Sequence, residues 1–149
     1  MKTMLRLFLM LATVATLVVQ LGCSNSGGAS AVAKTLYEQV GGEEGVTKLV
    51  NQFGTSLQAN PDLSQVLNAE AIENAKTGLT NDIKKASNMS AGSMSLDSAL
   101  KDQKLDADTL VGVNNAIVQA AKALNLNQET TDSLTKLIKP LAHSVLEAK

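Results

Sequence analysis

The side chains that most often perform chemistry are scarce in this chain of 149 residues. Its one histidine, His143, lies near the end, and its one cysteine, Cys23, lies near the start. A zinc site needs a cluster of cysteine and histidine side chains, and a catalytic nucleophile needs a base beside it, so this set supplies neither. The glycine-rich stretch Gly41–Gly45 lacks the lysine and the hydroxyl of a nucleotide-binding loop. We therefore expect no catalytic residue, no metal site and no enzymatic activity.

The chemistry that the sequence does predict is lipid attachment at Cys23. Residues 1–22 have the pattern of a secretory signal, because a basic start is followed by an uncharged, mostly apolar stretch from Leu7 to Val19. The stretch Gln20-Leu21-Gly22-Cys23 is similar to a bacterial lipobox, whose cysteine thiol carries diacylglycerol, although Gln20 stands where an aliphatic residue is usual. An uncleaved membrane span is the alternative, but the apolar stretch is shorter than the roughly 20 residues that a bilayer requires.

The sequence thus predicts three parts: a lipoprotein signal peptide over 1–22, a lipidated flexible tether over 23–33, and a helical domain over 34–149. The tether is predicted from the small and polar composition that follows Cys23. Ser24, directly after the cysteine, is similar to the signal for onward transport to an outer membrane, where the host has one. We expect a domain anchored to a lipid membrane of the bacterial cell envelope, in the periplasm or at the cell surface.

Charge and cysteine content exclude two further features. Arg6, the only arginine, leaves with the signal peptide, and the remaining chain has more acidic than basic residues, so nucleic acid is a poor partner. Lipidation of Cys23 leaves no thiol for a disulfide. The domain must therefore be stabilised by packing alone.

Apolar residues recur at helical spacing through the rest of the chain without strand-like alternation, so the predicted fold class is all-α. Gly78 is expected to weaken the helix that contains it, and Pro140 to bend the last helix nearby, unless that helix ends earlier in the chain. The predicted elements are a short helix over 35–40 ended by Gly41-Gly42, a helix over 43–59, a turn over 61–67, a helix with a buried stripe from Ile72 to Ala86, a loop over 88–95, a short helix over 96–100, and two helices capped by Asp106 and Asn127.

Three short motifs give the domain a family likeness. They are Leu36-Tyr37-Glu38 followed by Gly41-Gly42, then Val50-Asn51-Gln52-Phe53, and then Asn60-Pro61-Asp62-Leu63. Together they resemble the opening of the truncated haemoglobin family, group 1-like, and the later helices match it by spacing and hydrophobicity. The resemblance implies a truncated-globin-like helical domain, a fold in which a proximal histidine binds haem iron.

The same resemblance implies that the haem site has been lost. The family pattern Leu-x-x-Ala-His, whose histidine binds iron, corresponds to Leu96–Leu100, so Leu100 replaces the proximal histidine. Gly54 stands where the family has a tyrosine that hydrogen-bonds the iron-bound ligand, and Val66 and Leu67 stand where two phenylalanines pack against haem. We expect no cofactor, and a residual apolar pocket among Phe53, Val66, Leu67 and Leu100.

Three functions follow as hypotheses. The first is a lipid-anchored binding or interaction module that has lost haem binding and takes a small apolar ligand in the residual pocket. The second is a haem-dependent, oxygen-binding truncated haemoglobin with an atypical axial ligand, for which His143, Met89 and Met94 are the candidates. Helical phase turns His143 toward solvent, and both methionines fall in a flexible loop. The third is a structural envelope lipoprotein whose helical surface meets an envelope protein.

Overall fold

A computed structural model describes residues 33–147, which form eight α-helices and, within that range, no strand. The predicted all-α class is confirmed. The predicted signal peptide, Cys23 and the tether up to residue 32 lie outside the described residues. No helix within 33–147 combines the length and the apolar character needed to cross a bilayer. The helices are α1 Leu36–Val40, α2 Gly42–Ala59, α3 Pro61–Val66, α4 Ala69–Ala86, α5 Leu96–Leu100, α6 Ala107–Ala123, α7 Gln128–Lys136 and α8 Lys139–Glu147.

The junction between α1 and α2 is made by two glycines. Thr35 caps α1 through a reciprocal pair of hydrogen bonds with Glu38. Gly41 and Gly42 have φ values of +107° and +68°, in the left-handed region that residues with a β-carbon adopt only with strain. The sequence predicts one left-handed glycine here, whereas the structure has two, and α2 begins at Gly42 rather than at Glu43.

The core is aliphatic and is organised around α2, α4 and α6. α4 packs against α1, α2 and α5, while α6 packs against α2, α3, α7 and α8, and α5 also contacts α8. Phe53 is the largest fully buried side chain, and the other buried apolar residues are leucines, isoleucines, valines and alanines. The stripe predicted from Ile72 to Ala86 lies in this core except at its end, because Ala86 in the last turn of α4 is exposed.

The prediction of one continuous last helix is wrong, because the structure has two helices, α7 and α8, interrupted at Leu137 and Ile138. Pro140 has no N–H to donate to the carbonyl four residues earlier, and its ring crowds that carbonyl, which accounts for the break. The predicted cap is present, since the side chain of Asn127 accepts a hydrogen bond from the N–H of Thr130 at 2.8 Å. The predicted buried face is also present in Leu134, Ile138, Leu141 and Val145.

The backbones of α4 and α5 meet at Gly78. A β-carbon on Gly78 would lie 2.6 Å from the carbonyl carbon and oxygen of Ser95 and from the amide nitrogen of Leu96. These are backbone atoms, so they cannot move aside as the end of a flexible side chain can. The glycine that weakens the helix in the sequence analysis is therefore the residue that permits this close contact.

We predict that Gly78→Ala lowers the free energy of unfolding by about 1–3 kcal/mol, because an added methyl group forces the two backbones apart. Gly54→Ala is the matched comparison, since its β-carbon would meet the flexible Lys76 side chain at 2.9 Å and the helix gains propensity. That variant is expected to stay within about 1 kcal/mol of the wild type. Urea unfolding followed by circular dichroism measures both, and equal stability of the two variants would contradict the close contact.

Candidate functional site

The four residues of the predicted apolar pocket all belong to the hydrophobic core. Phe53 lies in α2, Val66 ends α3, Leu67 follows it, and Leu100 ends α5. Phe53 and Leu100 are fully buried, Leu67 is nearly so, and Val66 is partly buried. α3, which precedes Leu67, packs on α2 and α6, whereas α5, which ends at Leu100, packs on α4 and α8, so the four residues come from three helices and one junction of the same core.

Gly54, which stands where the resembled family has a tyrosine, is buried against α4. A β-carbon on Gly54 would lie 2.9 Å from Cδ of Lys76 and 3.6 Å from Cγ2 of Ile72. The aliphatic stem of Lys76 covers this point of α2, while its ammonium group lies 2.9 Å from the carboxylate of Glu73. The stem therefore takes up the space that a tyrosine ring would need.

The candidate iron ligands do not converge on the core. The side chain of His143 on α8 is 74% exposed, and its Nε2 lies 3.2 Å from the carboxylate of Glu147. Met89 is 39% exposed, and Met94 is partly buried in the same loop. Leu100 has no atom that can coordinate a metal. The residues in these positions do not fit a haem group.

Other metal sites are not formed by the described residues either. Within 33–147, no group of three or more histidine, cysteine, aspartate or glutamate side chains is placed to hold a metal ion. In the same part of the chain, every buried side-chain nitrogen or oxygen has a hydrogen-bond partner. The described core therefore presents no unpaired polar group that points to a polar ligand.

Residues 88–105, here called the α5 segment, comprise a loop, α5 and the turn before α6. Asn81 on α4 binds the loop through both the oxygen and the nitrogen of its carboxamide. Its Oδ1 accepts a hydrogen bond from the N–H of Gly92 at 3.1 Å, and its Nδ2 donates one to the carbonyl oxygen of Met94 at 2.9 Å. One side chain thereby satisfies a donor and an acceptor of a backbone that has no helix or strand of its own.

Asp82, next to Asn81 along α4, binds the start of α5. Its Oδ2 accepts a hydrogen bond from the N–H of Leu96 at 2.8 Å, which satisfies one of the free amides of the first turn. A further hydrogen bond reaches α5 from α8, because the hydroxyl of Ser144 donates to Oδ1 of Asp97 at 2.7 Å. The α5 segment is thus attached to its neighbours by a small set of polar side chains.

The carboxyl group of Asp82 has a raised pKa. Burial raises its pKa above the ordinary value of 3.8, and the charge of Asp97 acts in the same direction. The amide of Leu96 and the charge of Lys85 act in the opposite direction without cancelling the effect of burial. The ionised form of Asp82 is therefore less favourable in the folded protein than in water.

A second polar cluster joins α1, α2 and α4. The hydroxyl of Tyr37 donates to Oε2 of Glu43 at 2.8 Å, and Nζ of Lys84 lies 3.4 Å from the same oxygen. The tyrosine hydrogen bond and then the lysine charge lower the pKa of Glu43. The N–H of Tyr37 donates to the buried hydroxyl of Ser87, which donates in turn to the carbonyl of Ile83. These bonds fix α1 on α4, a structural role that explains the cluster.

An open, mostly polar groove of about 570 Å³ lies between the exposed face of α2 and the end of α6. Three of its residues carry carboxamides, and none of the predicted pocket residues line it. The lining consists of Lys48, Asn51, Gln52, Thr55, Ala123, Leu124 and Asn125.

The sequence analysis did not find Asn81, Asp82 or Ser144. A signal for the first two was present, because asparagine and aspartate compete with the helix backbone for hydrogen bonds and are unfavourable inside a helix. An Asn-Asp pair in the last turns of α4, just before a loop rich in serine and glycine, indicates that these side chains bind that loop. Hydrophobic periodicity ignores such residues, since they lie between the buried positions.

Comparison with known proteins gives no relative: no protein-family model matches the chain, and no curated protein or solved structure matches it significantly. The likeness to truncated haemoglobins therefore stays a prediction from the motifs of this chain.

We predict that Asp82→Asn is at least as stable as the wild type at pH 7, because the introduced carboxamide keeps an acceptor for the Leu96 N–H and carries no charge. The raised pKa means that the wild type loses stability as pH rises through the titration of Asp82 and regains it on acidification. The advantage of the variant should therefore shrink in acid. Urea midpoints measured from about pH 3 to pH 7 test this, and an advantage that grows in acid would contradict it.

Proposed function

We propose that this protein is a lipid-anchored lipoprotein of a bacterial envelope, whose globin-like helical domain does not use haem and acts as a binding or interaction module. The observation that carries the proposal is the burial of Leu100, an aliphatic residue at the position that the family resemblance assigns to the iron ligand. A fully buried leucine fills the core and leaves iron without a bond from that position.

The order of the helices supports the globin-like part of this proposal. The motif with Gly41-Gly42 forms the junction of α1 and α2, Asn60 caps the short α3, and Leu100 ends the short α5. These elements follow the order that the resemblance implies, and the later helices α6 to α8 complete an all-α domain.

The packing around Gly54 and Gly78 supports the loss of haem. On one side of α4, the stem of Lys76 covers Gly54 of α2, and on another, Gly78 meets the backbone at the start of α5. A flat cofactor between these helices would have to separate surfaces that are in van der Waals contact. We propose a small apolar molecule as the ligand class, because it needs no axial bond and an aliphatic domain offers it apolar contacts.

We predict that the whole chain, purified in detergent and titrated with hemin, gives no Soret band beyond that of free hemin. His143→Ala is the matched control and should give the same spectrum, because its imidazole lies in solvent. A stoichiometric five- or six-coordinate haem spectrum would contradict the proposal in favour of an oxygen-binding haemoglobin. Loss of that spectrum in His143→Ala, Met89→Ala or Met94→Ala would then identify the ligand.

The lipid anchor is tested separately at Cys23. We predict that the wild type, expressed in a bacterium, incorporates labelled palmitate and sediments with membranes, and that Cys23→Ala does neither. The reason is that the thiol of Cys23 is the predicted attachment atom for the lipid, and no helix among residues 33–147 is able to span a membrane. Membrane association of the wild type without incorporation of palmitate would instead favour an uncleaved N-terminal anchor.

A further inference from the structure

The loop of the α5 segment depends on one side chain for its hydrogen bonds. Residues 90–94 make no backbone-to-backbone hydrogen bond within the described chain. The bonds that this stretch does make run to Asn81, through the N–H of Gly92 and the carbonyl of Met94. Residues 90–94 are exposed or partly exposed, so removal of Asn81 would leave the N–H of Gly92 and the carbonyl of Met94 to water and favour a solvated, open loop.

The start of α5 depends in the same way on the residue next to Asn81. Asp82 accepts the amide of Leu96, and a short helix of five residues has little stability of its own. The one other side-chain bond from α5 to a neighbouring helix within the described residues is that between Asp97 and Ser144. Three side chains of α4 and α8, which make four hydrogen bonds, thus hold the polar side of the segment.

The apolar side of the α5 segment packs into the core. Leu96 and Leu100 are fully buried, and Ala99 and Leu105 are partly buried against the core. Movement of Leu96 and Leu100 out of the core would uncover the part of α4 around Gly78 that α5 now covers. The segment is therefore a cover over an aliphatic surface, attached mainly by side chains.

Both ends of the segment can act as hinges. Asn88 at the first end has a left-handed backbone with φ of +56°. At the second end, the N–H of Leu105 donates to the carbonyl of Gln103 at 2.7 Å, in a tight turn before the cap of α6 at Asp106. Both sites lie outside helices, where a change of backbone angles leaves α4 and α6 intact.

We propose that the α5 segment is a lid that opens as one unit, and that Asn81 and Asp82 are the clasp that holds it closed. Opening exposes Leu96 and Leu100 and uncovers the core surface of α4. This surface is the entry for the small apolar ligand. That last step rests on the proposed function, whereas the lid and its clasp rest on the contacts alone.

Hydrogen exchange of the whole chain in detergent, read by mass spectrometry, tests the lid. In Asn81→Ala and in Asp82→Ala, we expect the hydrogen-bonded amides of Leu96, Ala99 and Lys101 to exchange at least about 10-fold faster than in the wild type, because a lost bond lowers the free energy of opening. Amides in α2 and α6 should keep their wild-type rates.

Two control variants separate the clasp from general effects. Asp82→Asn keeps the acceptor for Leu96, and Asn51→Ala removes an exposed carboxamide whose side chain has no hydrogen bond within the described residues. Both should exchange like the wild type. Unchanged exchange of the amides of Leu96, Ala99 and Lys101 in Asn81→Ala and Asp82→Ala would overturn the proposal, and so would an equal acceleration in α2 and α6, which indicates global unfolding.

The entry of a ligand is tested with a dansyl-labelled fatty acid as the probe. We expect the probe to bind faster to Asn81→Ala than to Asn51→Ala, because the lid opens more often in the first variant. Faster exchange without any binding of the probe supports the lid and rejects the apolar ligand of the proposed function. Binding at equal rates in both variants, with unchanged exchange, rejects the lid.

Discussion

The backbones of α4 and α5 meet where Gly78 leaves room for no more than a hydrogen atom, with a β-carbon position only 2.6 Å from backbone atoms of Ser95 and Leu96. This contact positions α5, which in turn carries Leu96 and Leu100 into the core. It also brings Leu96 within reach of Asp82. Without the glycine, neither the burial of these leucines nor the polar clasp could form at the present distance.

The same contact underlies the proposal that the domain does not use haem. Cofactor binding by a globin needs an axial ligand and space for a flat ring. Leu100 supplies packing in place of a ligand, and the contacts at Gly54 and Gly78 close α4 against its neighbours. In the proposed account the fold is an aliphatic scaffold, and the α5 segment, whose residues 90–94 make no backbone-to-backbone hydrogen bond within the described chain, is the part that we propose to move.

The residue types of Asp106 and Asn127 predicted two N-caps. Hydrophobic spacing predicted most of the helices, and its phase predicted the exposure of His143. It failed at Pro140, where the buried face continues although the helix breaks, because periodicity reports burial and not backbone hydrogen bonds. The sequence analysis also treated Gly78 only as a residue that weakens its helix. Close approach of two backbones depends on how helices cross, which no local pattern contains. For the same reason, the partners of Asn81 and Asp82 required the structure.

The closed contact between α4 and α5 is tested most directly by nuclear Overhauser spectroscopy of the isotopically labelled whole chain in detergent micelles. One Hα of Gly78 points along the direction of the absent β-carbon, so we predict a strong cross peak between it and the amide proton of Leu96. A weaker cross peak should link Gly54 to the side chain of Lys76. Absence of the first cross peak from an otherwise assigned spectrum would contradict the account.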